Sequence, residues 1–306
     1  MSKKNQIYIK PVGGLCNRMR AVDSCLSLAK ALNKQVTVVW GRDHFLNCKF
    51  SDLFQPSENY RVIEENQFFG KKSVFPYLPG SKPTSILKRG LYHMSRSALK
   101  IRKEIWFEDL DNALIPLRES IGSGQIKDMQ SYEQSALSYL SAFIPAIQEP
   151  DNVFVCSAWR LWPEQNYKKH FVPVKHLRER ISEVTGTFNE TTGIHIRRSD
   201  HSLSIQHSGL DKFKEMIDVT LFRNDRSTFF LATDCAKTEL ELKETYPGKI
   251  ITFPKRSYNR NSTEGIQDAL IDLLCLSETN KVLGSYFSSF SQIAAEISGI
   301  EKQTIS

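Results

Sequence analysis

The sequence predicts an α/β protein in which parallel strands alternate with crossover helices. Residues 6–40 combine a strand, a glycine turn, an amphipathic segment and a β-branched strand. From about residue 190 onward, strand and helix patterns alternate four times. The 306 residues also exceed what one hydrophobic core usually supports, so we expect roughly two domains.

The N-terminal segment reads as one βαβ unit. QIYIKPV is a strand, GG is a turn, and QVTVVW is a second strand. Between them, apolar residues recur at the steps of three and four that are typical of a helix: Leu15, Met19, Val22, Leu26, Ala29 and Leu32. Gly13 and Gly14 permit a tight turn in this acceptor-side loop, and we expect Asn17 and Arg18, at the start of the helix, to face an acceptor ligand. An ordinary loop and helix cap is the alternative.

Residues 50–150 mix short apolar runs with prolines, among them those at positions 56, 76, 79, 83 and 116. The pattern in this region does not show which segments are helices and which are strands, or in what order they follow. The C-terminal part is regular, with strands at TTGIHIRRS, STFFLATD, KIITF and KVLGSYF, and helices at LDKFKEMIDVTLF, AKTELELKETY, TEGIQDALIDLLCLSET and SSFSQIAAEIS. In such a sheet, ligands bind beyond the carboxyl ends of the strands.

Three of these strand ends carry polar groups. Arg197 and Arg198 could clamp a diphosphate, because a guanidinium donates paired hydrogen bonds and keeps its charge. Asp234 could accept from a ribose or base donor. Free N–H groups at a helix start suit phosphate, and three serines begin the last helix: Ser288, Ser289 and Ser291. Taken singly, each has a simpler interpretation as a solvated pair or a helix cap.

The motifs GGLCNRMRA, HIRRSD, FFLATDC, IQDALIDLLCLSETN and GSYFSSFSQIAAEISG, in this order, resemble the superfamily of α1,6-fucosyltransferases, nodulation fucosyltransferases and protein O-fucosyltransferases. The resemblance implies a B-type glycosyltransferase fold, in which two Rossmann-like domains face a cleft. We assign residues 1–185 to the acceptor-side domain and 186–306 to the nucleotide-sugar domain. An α1,2-fucosyltransferase is the alternative, although Ser199 stands where its motif has glycine.

The resemblance also implies inverting, metal-independent transfer of fucose from GDP-fucose to a glycan acceptor, without a cofactor. We expect this reaction in bacterial surface polysaccharide synthesis. No DxD signature ends a strand, as a magnesium-bridged sugar nucleotide would favour. Arg198 is the candidate for the β-phosphate, with His195 and Asp200 as neighbours, and Asp268 near its helix start is a further nucleotide contact.

The catalytic base is left open by the sequence. The α1,6 enzymes are expected to carry a glutamate after the arginine motif, whereas this chain reads HSLSIQHSGLDKF. The nearest candidates are His201, His207 and Asp211. Together with Arg198 and Asp200, His201 forms the catalytic set that we predict.

The composition and charge of the chain limit the classes of protein to which it can belong. The net charge of +7 suits an anionic ligand, but no nucleic-acid-binding signature is present. Six scattered cysteines without a CxxC pair predict free buried thiols, a reducing compartment and no metal site. No apolar segment has the length of a signal peptide or membrane span, so we expect a cytoplasmic protein. A binding protein that keeps this fold without transfer activity is the alternative to an enzyme.

Residues 66–103 form a basic segment without Asp or Glu. It contains apolar residues and nine cations: Lys71, Lys72, Lys82, Lys88, Arg89, Arg96, Lys100, Arg102 and Lys103. We expect peripheral, salt-sensitive contact with an anionic membrane, with a solvated basic loop as the alternative.

Overall fold

The computed structural model describes residues 5–64, 76–122, 125–126, 128–199 and 202–306. The chain divides into two units, one formed by residues 1–126 and 131–172 and the other by residues 127–130 and 173–306. Each unit contains one five-stranded sheet, and every strand pair in both sheets is parallel. The predicted α/β class with parallel sheets is confirmed.

The sheet of the first unit has the strand order β3-β2-β1-β5-β4. These strands are β1 (Gln6–Pro11), β2 (Gln35–Trp40), β3 (Arg61–Glu64), β4 (Lys103–Ile105) and β5 (Asn152–Ser157). The central strands β1 and β5 are buried along their whole length. Helix α1 (Leu15–Ala31) joins β1 to β2, so the predicted βαβ unit is confirmed.

The region that the sequence left unordered adds five helices to this unit. They are α2 (Ile86–Ala98), α3 (Phe107–Ala113), α4 (Ile115–Gly122), α5 (Met129–Leu140) and α6 (Ile144–Gln148). A short α7 (Tyr167–His170) follows β5. Three aromatic side chains pack together beneath α2: Tyr92 on α2, Trp106 just after β4 and Phe154 on β5, with ring centroids 5.2 to 6.2 Å apart.

The sheet of the second unit has the order β10-β9-β6-β7-β8. Its strands are β6 (Thr191–Ile196), β7 (Thr228–Thr233), β8 (Ile250–Ile251), β9 (Lys281–Ser285) and β10 (Glu301–Ile305). Helices α10 (Leu210–Arg223), α11 (Ala236–Thr245), α12 (Thr263–Ser277) and α13 (Ser289–Ser298) connect them. All eight predicted elements are present, and β10 and the short α9 (Ser202–His207) were not predicted.

The unit boundary falls at residues 172/173, earlier than the predicted 185/186. Helix α8 (Lys175–Thr185) belongs to the second unit because it packs on α12. Arg180 lies over the ring of Phe253 at 4.4 Å and within 3.8 Å of the Asp268 carboxylate. An amphipathic helix in the sequence does not disclose which sheet it covers.

The six cysteines are free thiols, and all except Cys235 are buried. Burial raises the pKa of the Cys25 thiol to about 12. Within the described residues, no helix combines the length and the apolar character that crossing a membrane requires.

Candidate functional site

The candidate site lies at the carboxyl edge of the second sheet. Strands β6, β7 and β9 are parallel neighbours, so the segments that follow them emerge at the same edge. These segments are residues 197–199, residue 234 and residues 286–288. The polar groups that the sequence singled out in the three segments are therefore brought together.

Asp234 holds the loop that follows β6. Its Oδ1 accepts from the Arg198 N–H at 2.7 Å, and its Oδ2 accepts from the Ser199 hydroxyl at 2.6 Å and N–H at 3.3 Å. Burial favours the neutral acid, but these donors and the charge of Arg197 outweigh it and lower the pKa of Asp234. The contact of Asp234 with a ribose or base stays a prediction. Its hydrogen bonds to the loop after β6 are visible in the structure.

Arg197 and Arg198 differ in their surroundings. The Arg197 N–H donates to Ser285 Oγ at 3.0 Å, and its Nε lies 3.4 Å from Asp234 Oδ2. The Arg198 Nη2 is buried and makes no hydrogen bond to the residues that the structure describes. Since a buried guanidinium nitrogen without an acceptor is costly, an anion at this position would be stabilised.

His195 connects β6 to the start of α13. The histidine is buried, its ring stacks on Phe290 with centroids 4.7 Å apart, and its Nδ1 lies 3.3 Å from Ser288 Oγ. Ser288 occupies the N-cap position of α13 but its side chain caps no helix N–H. By contrast, Ser262 caps α12 by accepting from the Gly265 N–H at 3.1 Å. The Ser288 side chain therefore leaves the backbone N–H groups in the first turn of α13 uncapped. Such N–H groups are the ones that bind phosphate at a helix start.

The three serines at this helix start have different environments. Ser288 is buried and Ser289 is half-buried. Ser291 is fully buried, and its Oγ donates to the Ser288 carbonyl at 3.2 Å. A Cβ at Gly284 would lie 2.4 Å from this hydroxyl oxygen, so Ser291 occupies the contact between α13 and β9. The nucleotide contact of Ser291 stays a prediction, whereas its packing against β9 is visible.

Asp268 is likewise fully buried and engaged. Its Oδ2 accepts from the N–H groups of Arg256 and Ser257, at 2.6 and 3.2 Å, and its Oδ1 accepts from the Arg256 guanidinium at 2.6 Å. The carboxylate fixes the loop between β8 and α12. The nucleotide contact of Asp268 stays a prediction, whereas its hydrogen bonds to Arg256 and Ser257 are visible.

Sequence reasoning missed a buried polar cluster beside this loop. The Asp272 side chain on α12 is buried and lies 3.0 Å from Lys255 Nζ. Burial raises the pKa of Asp272 to about 7, with Lys255 opposing the shift. Asp272 Oδ1 accepts no hydrogen bond from the described residues. Only the spacing of four from Asp268, which places both on the buried helix face, signals this cluster in the sequence.

In the predicted acceptor-side loop of the first unit, residues 13–18, the visible polar contacts hold the loop in place. Gly13 has a φ of +81°, and Gly14 precedes α1 as its N-cap. Arg18 is buried: its Nε donates to the Gly13 carbonyl and its Nη2 to Asp43 Oδ2, both at 2.7 Å. These hydrogen bonds give Arg18 a structural role, and its predicted position facing an acceptor ligand stays a prediction. Asn17 is half-buried and accepts from Arg20 at 3.1 Å.

A second missed cluster joins distant segments of the first unit. Glu133 on α5 bonds to Arg20 of α1 and accepts from Arg160 Nη2 at 3.1 Å, and all three side chains are buried. Burial favours the neutral acid, but the two guanidinium groups outweigh it and lower the pKa of Glu133. The three residues are too far apart in sequence for any spacing rule to connect them.

Two predicted catalytic residues, Asp200 and His201, lie outside the described residues. His207 is exposed at the end of α9, and Asp211 is exposed in the first turn of α10. Within the described ranges, no group of three or more His, Cys, Asp or Glu side chains is arranged to hold a metal ion.

No family profile matches the sequence, and no curated protein matches it. Solved structures do match the fold. The fucosyltransferase NodZ from Bradyrhizobium has 17% identity and a TM-score of 0.57, with 95% of this chain and 92% of that chain covered. The NodZ α1,6-fucosyltransferase soaked with GDP-fucose has 17% identity and a TM-score of 0.58, over 96% and 93% of the two chains.

POFUT1 in complex with GDP-fucose is also similar. It has 14% identity and a TM-score of 0.53, with 100% of this chain and 98% of that chain covered. At such identities the likeness concerns the fold, and it extends over nearly the whole length of each protein. The B-type glycosyltransferase architecture expected from the motifs agrees with the architecture of these enzymes.

Proposed function

We propose that the protein is a glycosyltransferase that moves fucose from GDP-fucose to a glycan acceptor, with inversion and without a metal ion. The observation that carries this proposal is Arg198. Its buried Nη2 has no acceptor among the described residues, and it follows a strand at the edge where α/β sheets bind ligands. A diphosphate would supply the missing acceptor.

The start of α13 supports a diphosphate at the same edge. The Ser288 side chain lies near His195 and caps no N–H of the helix, which leaves this end suited to an anion. When the bond between fucose and the β-phosphate breaks, negative charge accumulates on GDP. Arg198 and the positive end of α13 would stabilise that charge in the transition state.

Asp272 supports guanine as the base. Its buried Oδ1 lacks a donor among the described residues, and guanine carries N–H donors on the edge that a carboxylate can bind. Burial raises the pKa of Asp272 to about 7 and so favours its neutral form. Accepting hydrogen bonds from guanine would favour the ionised carboxylate instead.

Fucose as the sugar, a glycan as the acceptor and a role in bacterial surface polysaccharide synthesis complete the proposal. Their support is the family resemblance of the motifs, together with a fold like that of enzymes named as fucosyltransferases. GDP-fucose is then a substrate, and no resident cofactor takes part.

A panel of GDP- and UDP-sugars tests the proposal by thermal shift and by nucleotide release. We expect stabilisation by GDP and GDP-fucose and GDP release with a suitable acceptor. Arg198→Ala should weaken GDP binding by about 2 to 4 kcal/mol. Arg198→Lys should also fail, because an ammonium group does not reproduce the guanidinium fork.

Unchanged GDP affinity in both Arg197→Ala and Arg198→Ala would contradict the phosphate assignment. Preference for UDP-sugars would contradict the donor. GDP-fucose binding without transfer to any acceptor in a broad glycan panel would favour a binding protein that keeps this fold.

A further inference from the structure

Helix α2 is a basic helix at the surface of the first unit. Its inward side is defined by Tyr92 and Ser95, which are buried. The Tyr92 ring packs 5.2 Å from Trp106, and Ser95 Oγ accepts from the Tyr77 N–H at 2.7 Å. These contacts anchor the helix and determine which of its sides faces solvent.

The opposite side of α2 is apolar and exposed. Ile86, Leu87 and Met94 are 85%, 67% and 63% exposed. Gly90 lies between them and adds no polar group. At 3.6 residues per turn, positions 86, 87, 90, 94 and 97 form one stripe along the helix, with the exposed Ser97 as its polar member near the end. Several large apolar side chains on one exposed stripe are typical of an interaction surface.

Three exposed cations near this stripe lack neutralising partners among the described residues: Arg89 borders it on the helix, Lys88 lies in the first turn on the side of Tyr92 and Ser95, and Arg102 follows the helix. Lys88, Arg89 and Arg102 are exposed, and none of them forms an ion pair within the described part of the chain. The Arg89 guanidinium donates instead to the Thr84 carbonyl at 2.9 Å. Arg96 is different, because it pairs with Glu104 at 2.9 Å. Residues 66–103 contain no Asp or Glu, so the acidic partners of this segment come from outside it, as Glu104 does for Arg96 and Asp109 for Lys82.

We infer that α2 docks on the surface of an anionic lipid bilayer. Ile86, Leu87 and Met94 enter the boundary between headgroups and acyl chains, while the nearby cations contact anionic headgroups. An exposed apolar stripe bordered by Lys and Arg is the pattern of interfacial helices. Pairing this face with a second copy of the chain would place the exposed Arg89 of each copy beside the contact, which like-charge repulsion opposes.

The docking is independent of the proposed reaction, so it is tested by binding alone. The full-length protein is floated with vesicles of phosphatidylcholine mixed with phosphatidylglycerol, and with pure phosphatidylcholine. We expect flotation with the anionic vesicles at low salt and loss at high salt, because salt screens the cationic contribution.

Two variants separate the apolar and the charged contributions. The apolar variant is Ile86→Ser/Leu87→Ser/Met94→Ser, and the charge variant is Lys88→Gln/Arg89→Gln/Arg102→Gln. Each should lower the vesicle-bound to free ratio by about tenfold or more. All five substituted positions on α2 and Arg102 are exposed, so thermal unfolding should match that of the wild type.

Matched controls lie away from α2. Phe222→Ser removes an apolar side chain that is 93% exposed on α10. Exposed cations elsewhere supply the same loss of three charges: Lys169→Gln/Arg223→Gln/Arg226→Gln. Both controls should float like the wild type.

Three results would overturn the inference. The wild type could remain in the soluble fraction with anionic vesicles. The controls could lose binding as much as the α2 variants. Light scattering could show a wild-type dimer that the apolar variant abolishes while vesicles are not bound, which would assign the face to contacts between copies.

Discussion

Asp234→Asn is the sharpest test of how the candidate site is held. The wild-type carboxylate accepts from the Arg198 N–H through one oxygen and from Ser199 through the other. An asparagine of nearly the same shape retains one acceptor oxygen and presents an NH₂ group on the other side. One of the loop donors then faces a donor, so it loses its acceptor.

The magnitude follows from these contacts. A hydrogen bond to a charged group contributes about 1.5 to 3 kcal/mol, or roughly 10- to 150-fold in an equilibrium constant. A second tie remains, because the Arg197 N–H donates to Ser285 Oγ. We therefore expect the loop to open locally, with the larger effect on GDP affinity and the smaller one on the global free energy of unfolding.

Calorimetric titration with GDP and with inorganic pyrophosphate is the assay. If Asp234 orders the arginine loop, both ligands lose affinity within the range above. Asp225→Asn is the control, because Asp225 is exposed in the turn before β7. A variant that binds pyrophosphate normally and GDP poorly would refute this reasoning and support the contact with ribose or base that the sequence predicts.

Three further predictions concern stability and metal dependence. Glu133→Gln should lower the free energy of unfolding by about 3 to 5 kcal/mol in a denaturant titration, because it leaves Arg20 and Arg160 buried without a counter-charge. Because the folded-state pKa of Glu133 is lowered, its contribution to the free energy of unfolding is complete above the unfolded-state pKa near 4.5. That contribution is lost as the pH falls through the folded-state pKa. The free energy of unfolding of the variant should therefore fall less steeply with decreasing pH than that of the wild type. Gly284→Ala should destabilise by about 1 to 3 kcal/mol through the clash with Ser291, and Ser291→Gly in the same chain should restore part of the loss; no rescue would contradict the packing argument. Transfer should persist in EDTA, and loss of turnover that manganese or magnesium restores would count against the proposed mechanism.

The sequence by itself determined the elements whose signal is local. Apolar steps of three and four define α1, and β-branched runs define β1 and β2, because helix and strand periods need only neighbouring residues. The alternation after residue 190 also predicted the parallel order of β6, β7 and β9, and with it the shared edge that carries Arg198, Asp234 and Ser288. β10 was missed, since a short strand after the last helix depends on its pairing with β9.

Tertiary structure alone decided which charged residues are available for a ligand. Arg18 and Arg198 both follow strand-end motifs in the sequence, yet the first is bonded to Gly13 and Asp43 and the second keeps a buried nitrogen without an acceptor. The partner of Arg20 lies 113 residues away, at Glu133. Burial and partnership depend on which distant segments pack together, and the local periods that define helices and strands carry no information about that choice.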